Sequence, residues 1–74
     1  MIFNESILVF ATRYAHNRNT GAAFMMVSGI VSEWDNISDR TKEVLYRESF
    51  EARYNAEDWK ILQDKYEAEK KEEN

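Results

Sequence analysis

Residues 22–34, with the sequence AAFMMVSGIVSEW, form the stretch that decides the fold of this chain. Apolar side chains recur there with the 3.6-residue period of an α-helix, so most of them fall on one side of it. The pattern predicts a central helix that ends near Trp34. Its main apolar stripe consists of Ala23, Val27, Ile30, Val31 and Trp34, with Phe24 and Met26 at the edges.

A first helix is predicted upstream of this stretch, beginning after Asn4 and ending before a break at residues 17–21, where Thr20 is a suitable helix cap. Leu8 and Val9 fall outside its core side, so this helix is apolar nearly all round and should be enclosed. Four short helices can hardly enclose it within one subunit, and we therefore predict a homodimer. The predicted core side consists of Phe3, Ile7, Phe10, Ala11 and Tyr14.

Downstream of residue 34, helix starts are predicted from capping residues, because the chain has no proline and only two glycines. Ser38 is the predicted N-cap of a third helix that begins at Asp39. Asn55 is a predicted cap of a fourth helix, unless the third helix continues through it. The fold class is therefore all-α, a small bundle of three to four helices that dimerisation would complete. Residues 1–66 are the predicted helical domain, and residues 67–74 are a charged tail that we expect to fray.

The composition argues against several classes of function. Cysteine is absent and His16 is the only histidine, so we predict no cofactor, no metal site and no catalytic centre. The net charge of −4 argues against nucleic acid as a ligand, although Arg13, Arg18 and Arg40 could form a local basic patch. The apolar run at residues 7–11 is far shorter than the ~20 residues of a membrane span. We therefore expect no membrane association and a cytoplasmic protein.

Two polar groups on the predicted helices have competing interpretations. Arg13, His16 and Arg18 either stabilise the first connection by binding helix-end carbonyls or carboxylates, or form an exposed patch for a partner. Glu48 falls on the apolar side of the third helix, where an unpaired carboxylate would be costly. We predict that it pairs with Arg13, Arg18 or Arg40.

Two further rows of side chains could contact a partner. On the second helix Ala22, Met25, Gly29 and Ser32 recur opposite the main stripe, and they leave room for another helix to approach. Either the chain's own first or fourth helix fills this groove, or a second copy or a partner helix does. The row Tyr46, Phe50 and Tyr54 is either core or an interface, since aromatic residues are common at both.

The segment ATRYAHNRNT at residues 11–20 resembles a group of short phage-encoded proteins with an Arg-Tyr-Ala-x-x-Arg-x-Thr pattern. The matching positions are Arg13, Tyr14, Ala15, Arg18 and Thr20, while His16 and Asn17 stand where Leu and Gly are expected. The resemblance covers roughly residues 11–59. It implies a phage origin and an accessory role, and such small acidic proteins include inhibitors of bacterial defence systems, among them anti-CRISPR proteins.

These observations favour a non-enzymatic accessory protein that binds a host protein in the host cytoplasm and modulates or inhibits it. The alternative is a small structural or assembly component of a larger phage complex. The predicted partner-binding residues are Arg13, His16, Arg18, Met25, Tyr46, Phe50 and Tyr54.

Overall fold

A computed structural model describes residues 5–16 and 22–72 of the chain, and within these ranges the fold is all-α, as predicted. There are four α-helices, and the described ranges contain no β-strand. A short 3₁₀ turn at Trp34–Asn36 connects the second helix to the third. The helices are α1 (Glu5–His16), α2 (Ala22–Ser32), α3 (Asp39–Ser49) and α4 (Ala56–Glu72).

The helices form a bundle in which α1 and α4 each contact both α2 and α3. The core lies mainly where α4 packs on α2 and α3. Val27, Leu45, Trp59 and Leu62 are completely buried there. Burial of an aliphatic or aromatic side chain stabilises the fold by roughly 1.5–3 kcal/mol, so these few residues supply much of the driving force. The other buried apolar residues are Ala23, Ile30, Trp34 and Ile37.

The predicted apolar stripe of α2 is confirmed. Ala23, Val27, Ile30 and Trp34 are all buried, and Val31 is half-buried against the same cluster. The edges of the stripe differ from each other. Met26 packs on the core, whereas the side chain of Phe24 remains 53% exposed.

The predicted starts of α3 and α4 are also confirmed. Ser38 has an extended backbone, and its hydroxyl oxygen accepts a hydrogen bond from the Thr41 N–H at 3.2 Å, as an N-cap does. Helix α3 ends at Ser49, so the alternative of one continuous helix is wrong. Asn55 immediately precedes α4, and its side-chain oxygen accepts a hydrogen bond from Trp59 Nε1 at 3.0 Å.

The predicted core side of α1 is wrong at Phe10 and Tyr14, whereas Ala11 is half-buried. Phe10 is 71% exposed and Tyr14 is 56% exposed, while Thr12 is completely buried and Leu8 packs on the core. The Thr12 hydroxyl donates to the Leu8 carbonyl at 2.9 Å. Its polar group is therefore satisfied within the helix, and the side chain can be buried at little cost. Phe3 and the side chain of Ile7 lie outside the description, as do the predicted break at residues 17–21 and its cap Thr20.

Helix α4 continues through Glu72, beyond the predicted domain end at residue 66. Two acidic residues of the expected tail are bound to other elements. Glu67 accepts a hydrogen bond from the Tyr46 hydroxyl at 2.7 Å, and Glu69 accepts one from Lys42 Nζ at 2.9 Å. These contacts explain why residues 67–72 are helical where the sequence predicts fraying. Residues 73–74 lie outside the description.

Candidate protein-binding surface

Arg13 and Glu48 form an ion pair that joins α1 to α3, which confirms the predicted pairing of Glu48. Arg13 Nε and Nη2 both donate to Glu48 Oε1, at 3.0 and 2.7 Å. This hydrogen bond and the charge of Glu48 raise the pKa of Arg13 above its ordinary value. The side chain of Glu48 is only 19% exposed, so Arg13 compensates for the burial of its carboxylate.

Two exposed aromatic side chains lie on the same helix as Arg13. Phe10 and Tyr14 lie one turn apart on the outer side of α1, on either side of Arg13 in sequence. Phe50 follows Glu48 by two residues and is 59% exposed. Its ring contacts Tyr46, which packs on α4, so Phe50 belongs to the other side of α3 from Glu48. We call Phe10 and Tyr14, with the Arg13–Glu48 pair, the aromatic surface.

The predicted row of Tyr46, Phe50 and Tyr54 is divided between packing and exposure. The Tyr46 ring stacks on Tyr66 of α4 with a centroid distance of 4.3 Å, and its hydroxyl donates to Glu67. That hydrogen bond raises the pKa of Tyr46. Phe50 meets the Tyr46 ring edge-on at 5.1 Å, but most of its surface is open, and Tyr54 is 56% exposed. The row therefore does not continue along one helix, since α3 ends at Ser49.

The outward side of α2 is open to solvent. Met25 is 75% exposed, and Gly29 and Ser32 are exposed as well. Apart from the backbone of α2 itself and the two chain neighbours of Gly29, no atom of the described residues lies within 4 Å of the position that a Cβ on Gly29 would occupy. At these positions the chain's own helices do not fill the predicted groove, and that interpretation is wrong. The side chain of Ala22 lies outside the description.

Two predicted partner-binding residues are not tested by the structure. His16 is the last residue of α1, but its side chain lies outside the description. Arg18 also lies outside the described residues. Both interpretations of these two side chains, as a structural clasp or as a binding patch, remain predictions.

A polar cluster at the end of α4 is absent from the sequence-based predictions. Lys42 is buried, and its Nζ lies 2.9 Å from Glu69 Oε1 and 5.1 Å from the centroid of the Trp34 ring. Trp34 Nε1 donates to the other Glu69 oxygen. The Lys42 and Trp34 bonds lower the pKa of Glu69. The helical spacing of Lys42, Leu45 and Ser49, all buried, is the signal that could have predicted the burial of this lysine.

A depression lined by side chains of mixed polarity lies at the start of α4. Its volume is about 320 Å³, and it opens to solvent. Its only buried side chain belongs to Asn55, which is bonded to Trp59, so nothing here resembles a nucleophile with its base. The lining residues are Arg53, Tyr54, Asn55, Ala56, Glu57 and Asp58.

Residues 5–16 and 22–72 lack two kinds of feature. They contain no group of three or more His, Cys, Asp or Glu side chains placed to hold a metal ion. Within the same ranges, no helix combines the length and the apolar character that crossing a membrane requires. The chain matches no protein-family model, no curated protein and no solved structure.

Proposed function

We propose that this chain is a non-enzymatic accessory protein that binds a host protein through its aromatic surface and modulates or inhibits it. The observation that supports the proposal is the exposure of Phe10 and Tyr14 on the helix that carries Arg13, which is paired with Glu48. Aromatic residues and arginine are enriched where protein interfaces gain most of their binding energy. The proposed phage origin and the proposed inhibition of a defence system rest on the resemblance of residues 11–20 to short phage-encoded proteins.

The aromatic surface is held in place before any partner binds. The Arg13–Glu48 pair joins α1 to α3 and so fixes the helix that carries Phe10 and Tyr14. Preorganised side chains lose less conformational freedom on binding, so more of the burial energy contributes to affinity. The surface therefore suits a partner with an apolar groove for the rings and polar groups at its rim.

A small component of a phage assembly is the second candidate, and the outward side of α2 favours it. Met25 and Phe24 are largely exposed on a helix that has no charged residue. An uncharged apolar helix face is typical of a surface that another subunit covers. The homodimer predicted from the sequence belongs to the same proposal.

Capture from a bacterial lysate tests the leading proposal when it compares matched variants. Tagged wild-type protein, a Phe10→Ala/Tyr14→Ala variant and an Ile61→Ala control are used as bait, and mass spectrometry identifies what binds. Ile61 is an apolar residue on α4 whose surface is 42% exposed, so its substitution controls for nonspecific binding through exposed apolar side chains. We expect one stoichiometric host protein with wild type and the control, and its loss with the double variant.

The contrary outcomes are equally clear. If all three baits capture the same protein in the same amount, the aromatic surface is not the binding site. If none captures a host protein while each retains the helical circular dichroism of the wild type, the host-binding role fails in the host tested. The assembly role would then be the better proposal.

A further inference from the structure

The outward side of α2 differs in charge from the rest of the bundle. We call Phe24, Met25, Ser28, Gly29 and Ser32 the α2 face; all five are exposed. Charged residues make up 32% of the chain, yet the 11 residues of α2 include none. Phe24 and Met25 are 53% and 75% exposed on this helix. Large apolar side chains in an uncharged patch are normally covered in the assembled state of a protein.

Charge decides which occupant suits this face. The chain has a net charge of −4, so two copies repel each other. This repulsion is smallest when the contacting surfaces have no charged side chains. A two-fold contact places the same patch on both sides, so a charge at the axis faces its own kind. The described parts of the other helices all expose charged side chains, such as Arg13 on α1, Glu43 on α3 and Lys60 on α4. Helix α2 has no charged residue, so two copies can meet across it without bringing like charges together at the axis.

A different protein is a less suitable occupant. Foreign partners are selected largely by complementary charge, and the α2 face offers none to complement. From this comparison we infer that a second copy of the chain docks on the α2 face, helix against helix about a two-fold axis near Gly29.

The backbone of α2 permits close approach of a second helix. Gly29 lies in the middle of the face, and no atom of another described element lies within 4 Å of the position that its Cβ would occupy. Helix axes can approach closely where small side chains lie at the crossing. Ser32 Oγ donates to the Gly29 carbonyl at 2.9 Å, so burial of Ser32 leaves no hydroxyl proton unpaired.

The small size of the face sets the strength of the contact. A helix of 11 residues is roughly 16 Å long, at ~1.5 Å for each residue. Its face therefore buries less than the ~800 Å² per partner of a standard interface. We therefore expect a weak dimer that is populated only at high protein concentration.

The test is the mass of the purified chain in solution, measured by sedimentation equilibrium. The protein concentration is raised to about 1 mM, because a weak dimer with a dissociation constant in that range is then substantially formed. The wild type should shift from 8.8 kDa towards twice that mass. Gly29→Glu should remain at the monomer mass, because it places two like charges at the crossing. Ile61→Glu, an apolar-to-acidic change on the exposed side of α4, should behave as the wild type. Circular dichroism checks that each variant is folded, and Met25→Glu replaces Gly29→Glu if that variant unfolds.

A mixing experiment sharpens the assignment. Gly29→Glu and Gly29→Lys should each be monomeric alone, whereas an equimolar mixture should form a dimer, since opposite charges then meet at the crossing. A wild type that stays monomeric throughout, a dimer that survives Gly29→Glu or Met25→Glu, or a dimer that Ile61→Glu also breaks would each overturn the inference. No host protein is present, so the result is independent of the proposed function.

Discussion

Aromatic residues are buried on one side of the bundle and exposed on the other. On the α4 side, Trp34 and Trp59 are buried, and each indole N–H has a carboxylate or amide acceptor. On the outer side of α1, Phe10 and Tyr14 are largely exposed. The chain is too short to bury all of its aromatic side chains. It encloses the two tryptophans, whose indole N–H groups have acceptors inside the fold, and leaves the smaller rings of Phe10 and Tyr14 at the surface.

If the aromatic surface binds a partner as proposed, this difference predicts that stability and binding are located in separate regions. The α4 side contains the contacts whose loss leaves a cavity or an unpaired polar group, both of which are costly. The α1 side contains exposed apolar area whose loss costs little in the isolated chain. Substitutions on the two sides should therefore affect stability and binding independently, and the following predictions test that separation in order of expected effect.

The largest effect is expected from Trp59→Ala on the α4 side. Trp59 is completely buried, so the change leaves a large cavity and removes the partner of the Asn55 side chain. Such substitutions cost about 3–5 kcal/mol. A domain of this length has a free energy of unfolding of roughly 4–11 kcal/mol, so much of it is lost. Urea denaturation followed by circular dichroism measures the change. A loss below about 1 kcal/mol would contradict the proposed core, because surface changes have effects of that size.

A smaller loss is expected from Lys42→Met. The side chain of Lys42 is 9% exposed, and its removal leaves Glu69 without its charged donor. Loss of a hydrogen bond to a charged group costs about 1–3 kcal/mol. The matched control is Lys65→Met, an exposed lysine on α4, which should leave the urea midpoint nearly unchanged. Equal losses in the two variants would show that the cluster of Lys42, Glu69 and Trp34 does not stabilise the fold.

The same cluster predicts a dependence of stability on pH. The bonds from Lys42 and Trp34 hold the pKa of Glu69 below its ordinary value, so the folded chain binds this proton less readily than the unfolded chain. The contribution of Glu69 is therefore complete above the unfolded pKa of about 4.3 and is lost as the pH falls through the lower folded value. Glu69→Gln should flatten the decline in stability in that acid range.

The control for this pH profile is Glu72→Gln, because Glu72 is exposed near the end of the same helix. Its acid profile should follow that of the wild type. Thermal melts between pH 3 and pH 6 provide the comparison, a range chosen to include the ordinary glutamate pKa of about 4.3. If the Glu69 and Glu72 variants have the same profile, the ion pair with Lys42 contributes nothing to acid stability.

The smallest effect on folding is expected from Phe10→Ala on the α1 side. Its ring is 71% exposed, so little apolar burial is lost, and the change should stay within about 0.5 kcal/mol. Urea denaturation at low protein concentration measures it without interference from self-association. A loss comparable to that of Trp59→Ala would show that Phe10 belongs to the core, as the sequence pattern of α1 predicts.

The core of the α4 side could be predicted from the sequence where a local pattern is strong. In α2 and the turn after it, one helical stripe contains Ala23, Val27, Ile30 and Trp34, and the structure buries these residues as predicted. Ser38 is a cap for the local reason that its side chain can reach the Thr41 N–H. The pairing of Arg13 with Glu48 follows from the cost of a buried carboxylate, although three arginines were candidates.

The remainder depends on information that local patterns lack. Helix α1 is apolar on several sides, so periodicity alone could not identify its buried side. Thr12 is buried there although it is polar, because its hydroxyl donates to the Leu8 carbonyl within the same helix. Lys42 and Glu69 are 27 positions apart, and both look like solvated surface charges in the sequence. Only the packing of α3 on α4 brings them together, which is also why residues 67–72 are helical.

The position of α4 has a consequence for the order of folding. Trp59 and Leu62 complete the core, and the indole of Trp34 is bonded to Glu69, which is 35 positions later in the chain. While a ribosome synthesises the chain, α1, α2 and α3 therefore emerge before the helix that covers them exists. The apolar stripe of α2 is open during that interval, so a cooperative fold can form only after α4 has left the exit tunnel.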